Sequence, residues 1–229
     1  MDGLTAVVTG ASRGIGEAVV DELVAAGAHV VACARDPGDL DGLVERHDDA
    51  VTPVRADVRD EFDVERLVEA ASRAGGYGGI DLVVANAGVY HGDPGDTPVQ
   101  DEPYSAFDDH LRTNARGVFA TFREAVPHLN EEARLLVPTG SVASDAKPGI
   151  GSYAVSKAAA EAVARAFAVD TPFVAGCVDP GQVETDLSGA GGRDPSEVGP
   201  LFAWAATDCP AEELDGGVVG LREWKQATR

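Results

Sequence analysis

Lysine is almost missing from this chain: Lys147, Lys157 and Lys225 are the only three among 229 residues. Methionine occurs once, and aromatic residues make up 6%. The three cysteines, Cys33, Cys177 and Cys209, are odd in number and show no C-x-x-C spacing. That argues against a disulfide framework and against a cysteine-held zinc. Five histidines, His29, His47, His91, His110 and His128, never fall into H-x-x-x-H, so no metal is expected. No apolar run approaches the roughly 18 residues of a membrane-spanning helix. The opening Met-Asp-Gly-Leu carries no basic segment with a long apolar stretch behind it. A soluble, unexported, cytoplasmic chain is therefore expected.

What the chain has in excess is acid. Its 39 carboxylates against 18 basic residues give a formal charge of −21, and the segment Asp36 to Glu69 alone holds twelve carboxylates against four arginines. Nucleic acid and anionic membranes would be repelled, so neither is an expected partner. An acidic face built for one basic partner would concentrate the charge in a block, whereas here it spreads over most of the chain. An acidic, lysine-poor surface on an otherwise ordinary composition resembles proteins of salt-accumulating halophiles, and a halophilic source is expected.

At 44% hydrophobic residues, one core and one domain over residues 1–229 are expected. Val, Ile and Leu gather in strand-length runs at Leu4 to Val8, His29 to Cys33, Val51 to Val54, Ile80 to Ala85, Arg134 to Val137, Phe173 to Val178 and Val218 to Leu221. Helical periodicity lies between them. Near-continuous apolar strands alternating with helices predict an α/β fold of the doubly wound Rossmann type, a mostly parallel sheet with helices on both faces. Longer helices are expected from about Tyr104 to Leu129 and from Ser152 to Val169, with Ser152 as N-cap of the second. The stretches Gly75 to Gly79 and Gly88 to Pro103 read as loops.

Between the first strand and its helix stands VVTGASRGIGEAVV, Val7 to Val20, and Gly27 sits where that helix should end. With 27 glycines in the chain, G-x-x-x-G-x-G arises by chance roughly 0.4 times, so the pattern alone decides little. Its position decides more. A glycine turn opening a helix after a strand offers backbone N–H groups and the positive end of the helix dipole to a pyrophosphate.

The second signal is YAVSK, which places Tyr153 and Lys157 one turn apart on a single helix face. With four tyrosines and three lysines, that spacing is expected by chance roughly 0.05 times. Ser141 lies just past the strand ending at Val137. NAG, Asn86 to Gly88, ends the strand before it, and Asn114 lies within the first long helix. DPGQVETDL follows the strand ending at Val178. All these strand ends meet at the carboxyl edge of the sheet, where ligands bind in open α/β folds.

Taken in order, TGASRGIG, ADV, NAG, the helix asparagine, the serine, YxxxK and PGxVxT resemble the single-domain branch of the short-chain dehydrogenase/reductase family over essentially the whole chain. The resemblance implies an oxidoreductase moving a hydride between nicotinamide and a carbonyl compound or secondary alcohol. It implies that Tyr153 is the general acid/base, that Ser141 binds the same substrate oxygen, and that Asn114 supports a water path for the proton. Lys157 would hold the ribose hydroxyls and, with oxidised nicotinamide, lower the Tyr153 pKa. The cofactor is expected on Gly10, Ser12, Arg13, Gly14, Ile15 and Gly16 of the glycine patch, and on Arg35, Asp57 and Val58. Asn86, Ala87, Gly88, Tyr153, Lys157, Pro180, Gly181, Val183 and Thr185 complete that expected set.

NADP(H) is the expected form. NAD-selecting relatives usually carry an acid at the end of the second strand, where this chain has Ala34 followed by Arg35, with Asp36 two positions late. Arg13 and Arg35 could grip a 2′-phosphate by charge-assisted bonds. The chain departs from the family at Ala85, where many relatives have Asn, and in a loop before Tyr153 about one residue shorter, which makes Ser144 a rival to Ser141. Two other readings stand beside the enzyme: a non-catalytic dinucleotide-binding sensor or scaffold, and a nucleotide-sugar epimerase or dehydratase. Sensors typically lose the Tyr or Lys, and epimerases are longer, whereas only 48 residues follow Gly181. The resemblance also implies a homodimer or homotetramer, because the two long helices correspond to those that form dimers and tetramers in the family, and the alanines of AAAEAVARAFAV permit close approach.

Overall fold

The computed structural model describes residues 1–75 and 78–229. The expected loop Gly75 to Gly79 thus falls partly outside the described residues. Among those described, seven strands form one sheet: β1 (Thr5–Thr9), β2 (His29–Ala34), β3 (Val51–Arg55), β4 (Ile80–Val84), β5 (Leu129–Pro138), β6 (Val174–Asp179) and β7 (Val218–Gly220). Their order is β3-β2-β1-β4-β5-β6-β7, and every ladder is parallel. This is the doubly wound Rossmann-type α/β fold expected from the alternation of apolar runs and helices.

The strands are Val- and Leu-rich because both faces are covered. Val8, Val30 and Val84 pack on one side with Leu23 of α1 (Gly14–Ala25) and Leu201 and Phe202 of α7 (Gly199–Thr207). Val7, Val31 and Val83 pack on the other with Leu67 of α3 (Glu61–Arg73) and Phe122 of α5 (Gly117–Ala125). Each such side chain fully removed from water stabilises the fold by about 1.5–3 kcal/mol. The shorter α2 (Asp41–His47) follows β2, while α8 (Ala211–Leu214) and α9 (Leu221–Ala227) flank β7. Gly27, at φ +92°, turns the chain out of α1 into β2, as its place in the sequence suggested.

Apart from one-residue shifts at strand ends, three features differ from the sequence reading. β5 begins at Leu129 rather than Arg134, because the polar stretch Asn130–Glu132 lies where the sheet edge is exposed and carries no apolar signal. The first long helix is α4 (Tyr104–His110), a π turn (Leu111–Arg116) and α5, with a 3-10 turn over Val126–His128. The second, α6, spans Ser152–Asp170, but Gly151 and not Ser152 is its N-cap. Ser152 is already helical, and its hydroxyl is drawn into a buried contact instead. All three cysteines are buried and unpaired; burial pushes the thiols of Cys33 and Cys177 up to about 12, which leaves them inert packing groups.

The order of strands places a switch between β1 and β4: the chain winds outward from β1 in one direction and then from β4 in the other. The crevice at such a point opens past the carboxyl ends of the strands.

Candidate active site

A cleft of about 630 Å³ opens there. Every residue expected at the cofactor or the chemistry lines it except Gly16, which lies beneath. A Cβ on Gly16 would come within 2.2 Å of the Gly10 carbonyl oxygen and 2.4 Å of Asn86 Nδ2. Its hydrogen is what lets the first turn of α1 close on the β1 and β4 ends. Asn86 completes the joint: Nδ2 donates to the carbonyls of Thr9 and Gly10, 3.0 Å each, while Ala87 N–H donates to Thr9 Oγ1 at 3.0 Å. The Ala85 departure leaves this joint intact.

At the far end of the cleft from Tyr153, β2 runs out at Ala34 and exposes Arg35. Arg35 has no carboxylate within ion-pair distance among the described residues. Asp36 turns away to accept the Gly38 N–H at 3.0 Å and caps the turn Pro37–Leu40, so it does not reach the cleft. Arg13 is exposed and sits 3.6 Å from Asp186, a solvated pair of little strength. Asp39 also lines this end. Asp57 is occupied by Arg59, which chelates its carboxylate through Nε and Nη2 at 2.7–3.1 Å and holds the Asp57 carboxyl below its usual range.

The other end is built by α6 and the loop after β5. Lys157 donates from Nζ to the Pro138 carbonyl at 2.6 Å, and burial pulls its ammonium down to about 8. Tyr153 packs against Tyr90, with ring centroids 4.9 Å apart, and edge-on to His110 at 6.0 Å. Burial pushes its phenol up to about 12. Tyr90 beside it pushes the same way, so the lowering expected from Lys157 is not seen in the free chain, and Tyr153 holds its proton at neutral pH.

Ser141 and Ser144 separate cleanly. Ser141 lies in the first turn after Gly140 and faces the cleft, while Ser144 is exposed, outside it, and 3.4 Å from Asp145 Oδ1. Asn114 sits in the π turn, whose extra residue lets it point at α6: Nδ2 donates to Val89 O and Ser156 Oγ, both at 2.9 Å, and Oδ1 accepts from Val89 N–H at 2.8 Å. It ties the loop after β4 to the helix carrying Tyr153.

Three residues were not read from the sequence. Glu102, its side chain 3% exposed, receives the Ser152 N–H at 2.5 Å and so caps α6 from a distant loop. His110, wholly buried, accepts the His91 N–H on Nε2 at 2.9 Å, which leaves the Nδ1 proton for Ser152 Oγ at 2.7 Å. No local pattern marks either as buried. The third is Lys147, whose Nζ donates to Ser141 Oγ at 2.5 Å; its signal was the scarcity of lysine.

A glycine-lined helix start, a switch-point crevice and a Tyr–Lys pair on one helix define a dinucleotide-binding α/β protein of the oxidoreductase kind. The short chain dehydrogenase family model matches residues 4–195, and the chain belongs to that family. It is 34% identical over 196 residues to versicolorin reductase from Emericella nidulans, covering 82% of this chain and 72% of that one. It is 35% identical over 192 residues to 2-(R)-hydroxypropyl-CoM dehydrogenase from Xanthobacter autotrophicus, covering 80% and 76%. A dehydrogenase/reductase structure from Sinorhizobium meliloti superposes with a TM-score of 0.85 at 28% identity over 96% of this chain and 94% of that one. A Burkholderia cenocepacia short chain dehydrogenase in complex with NADP does so with 0.84 at 26% identity over 96% of each. A 3-ketoacyl-(acyl-carrier-protein) reductase from Brucella melitensis, complexed with NADH, gives 0.87 at 25% identity over 96% and 97%.

Proposed function

We propose that this short-chain dehydrogenase/reductase is an NADP(H)-dependent enzyme that interconverts a small carbonyl compound and its secondary alcohol, with Tyr153 as general acid/base. The observation that carries the reading is the meeting of Ser141, Tyr153 and Lys157 in one cleft with the glycine turn. The cradle fits a dinucleotide: Gly10 and Gly14, at φ +63° and +60°, line the cleft at the start of α1, where side chains would be strained and backbone N–H groups can face a pyrophosphate. Nicotinamide, when bound, supplies or accepts the hydride.

The remaining work falls to the chain. Tyr153 Oη gives its proton to the carbonyl oxygen in reduction and takes one from the alcohol in oxidation. Ser141 accepts from Lys147, so its own hydroxyl proton is left to donate to that same oxygen. Lys157 stands on the Tyr153 face of α6 to hold ribose hydroxyls and to carry positive charge toward the phenol. Both Asn114 amide protons are taken by protein groups, which leaves an Oδ1 lone pair to accept from a water on the proton path.

Arg35 and Arg13 support the preference for NADP(H), because neither has a tight carboxylate partner and Asp36 is turned away. A panel of ketones and aldehydes offered with NADPH and with NADH, read at the nicotinamide absorbance band, tests the activity. Arg35→Asp should weaken NADPH binding by about 1.5–3 kcal/mol, the range for hydrogen bonds to charged groups. Equal affinity of the unaltered protein for the two cofactors would refute the preference. The acidic surface also supports a halophilic setting: among the described residues Asp63 is the one acidic residue buried as a whole, with the Glu102 carboxylate also withdrawn from water. Phe119 and Val155, 46% and 45% exposed, leave an apolar surface on α5 and α6 that suits a homodimer or homotetramer.

A further inference from the structure

The charge of the cleft departs from that of the molecule. Of 18 basic residues five line it, and of 39 acidic residues only four do, so a chain of net charge −21 surrounds a cleft whose lining charges nearly cancel. Four of the five cations have a partner or a task already described: Arg59 on Asp57, Arg13 near Asp186, Arg35 at the far end, and Lys157 on Pro138. The fifth is Lys147. It lies at the Tyr153 end, its only side-chain hydrogen bond is to Ser141 Oγ, and no carboxylate stands within ion-pair distance of it among the described residues.

A solvated lysine in so acidic a chain has abundant carboxylates to choose from, and this one takes a neutral hydroxyl in the cleft instead. We propose that Lys147 is a recognition site for an anionic oxygen on the substrate, and that the substrate class is a 2-oxo or 3-oxo carboxylate and the corresponding hydroxy acid. The proposal rests on the reading of the cleft as a carbonyl-reducing site. Geometry limits where the anion can be. The ammonium is 2.5 Å from Ser141 Oγ, and a hydroxyl-to-carbonyl hydrogen bond adds about 2.7 Å. The substrate oxygen on Ser141 thus lies within roughly 5 Å of Nζ. A carboxylate one or two carbons from the carbonyl spans that gap and places one oxygen on Ser141 and Tyr153 and the next on Lys147. A charge farther along the substrate would pass the ammonium by.

The test has a binding arm and a turnover arm. Oxamate, an unreactive 2-oxo-carboxylate analogue, is titrated calorimetrically into the unaltered protein, Lys147→Met and Lys147→Arg, each with and without NADP⁺, with neutral oxamide as control. The expected result is oxamate binding weakened at least tenfold in Lys147→Met and within threefold of normal in Lys147→Arg, with oxamide no better than either variant's oxamate. Equal oxamate binding by all three proteins, or none by any, overturns the proposal. In the turnover arm, acetoacetate and methyl acetoacetate are reduced with NADPH, and Lys147→Met should lower kcat/KM for the acid at least tenfold more than for the ester. An equal fall for both would mean that Lys147 acts through Ser141 on the carbonyl and would also overturn it. If no carbonyl compound turns over, the reduction reading fails, and the oxamate arm still decides the anion site.

Discussion

Asp145 and Lys147 follow the turn in which two serines compete for one role, and the side chains decide between them. Ser141 is in the cleft on Lys147, whereas Ser144 is exposed beside Asp145. A donor aimed at developing negative charge on oxygen contributes far more than a surface hydroxyl. Ser141→Ala should therefore lower turnover by about 10² to 10³, with Ser144→Ala near normal, in steady-state assays of the two variants. Reversed losses would show that the shorter loop has shifted the register. Much of this scale was legible in the sequence, because glycine turns and a YxxxK pair depend on local spacing. Glu102 and His110 were not legible: one acid among 39 carries no mark of burial, and only the packing of α4 against α6 brings His110 to Ser152.

Helix α6 carries Tyr153 in its first turn, so the way its N-terminus is held sets where the phenol stands. A hydroxyl cap from Ser152 was the local expectation, and tertiary contact overrode it. Glu102 reaches across from the loop before α4 and takes the Ser152 N–H, while Ser152 Oγ lies 3.2 Å from the same carboxylate. A carboxylate at a helix N-terminus is stabilised by the dipole. Glu102→Ala would strand a buried N–H and should cost about 1–3 kcal/mol in denaturant unfolding. A variant as stable as the unaltered protein would show that the contact contributes nothing. The other element that resisted reading is the run from α4 to α5. Its apolar periodicity is continuous, and nothing in that pattern announces the π turn that swings Asn114 toward Val89 and Ser156. The early start of β5 escaped for the opposite reason, since Leu129 pairs with Ile80 while Asn130–Glu132 fall in a register shift before Arg134 and read as polar loop.

Across the whole molecule, two facts pull against each other: a sheet buried on both faces holds the chain together, and a charge of −21 pushes its surface apart. Salt acts chiefly on the second, because the Debye length falls to about 3 Å at 1 M. Melting temperature should climb steeply with KCl, and a profile flat from low to molar salt would contradict the halophilic setting. The class of fold was legible at this scale from the alternation of apolar runs and helices, and so was the sheet edge at which the cleft opens. The central claim is that carbonyl reduction in this cleft takes its proton from Tyr153 while the nicotinamide supplies the hydride, and it is tested most directly by the rate of NADPH oxidation with a reducible carbonyl compound. The comparison is between the unaltered protein and Tyr153→Phe at saturating cofactor and molar KCl. The account predicts intact NADPH binding and a loss of roughly 10² to 10⁴ in turnover for the Phe variant. Equal rates for the two proteins would contradict it.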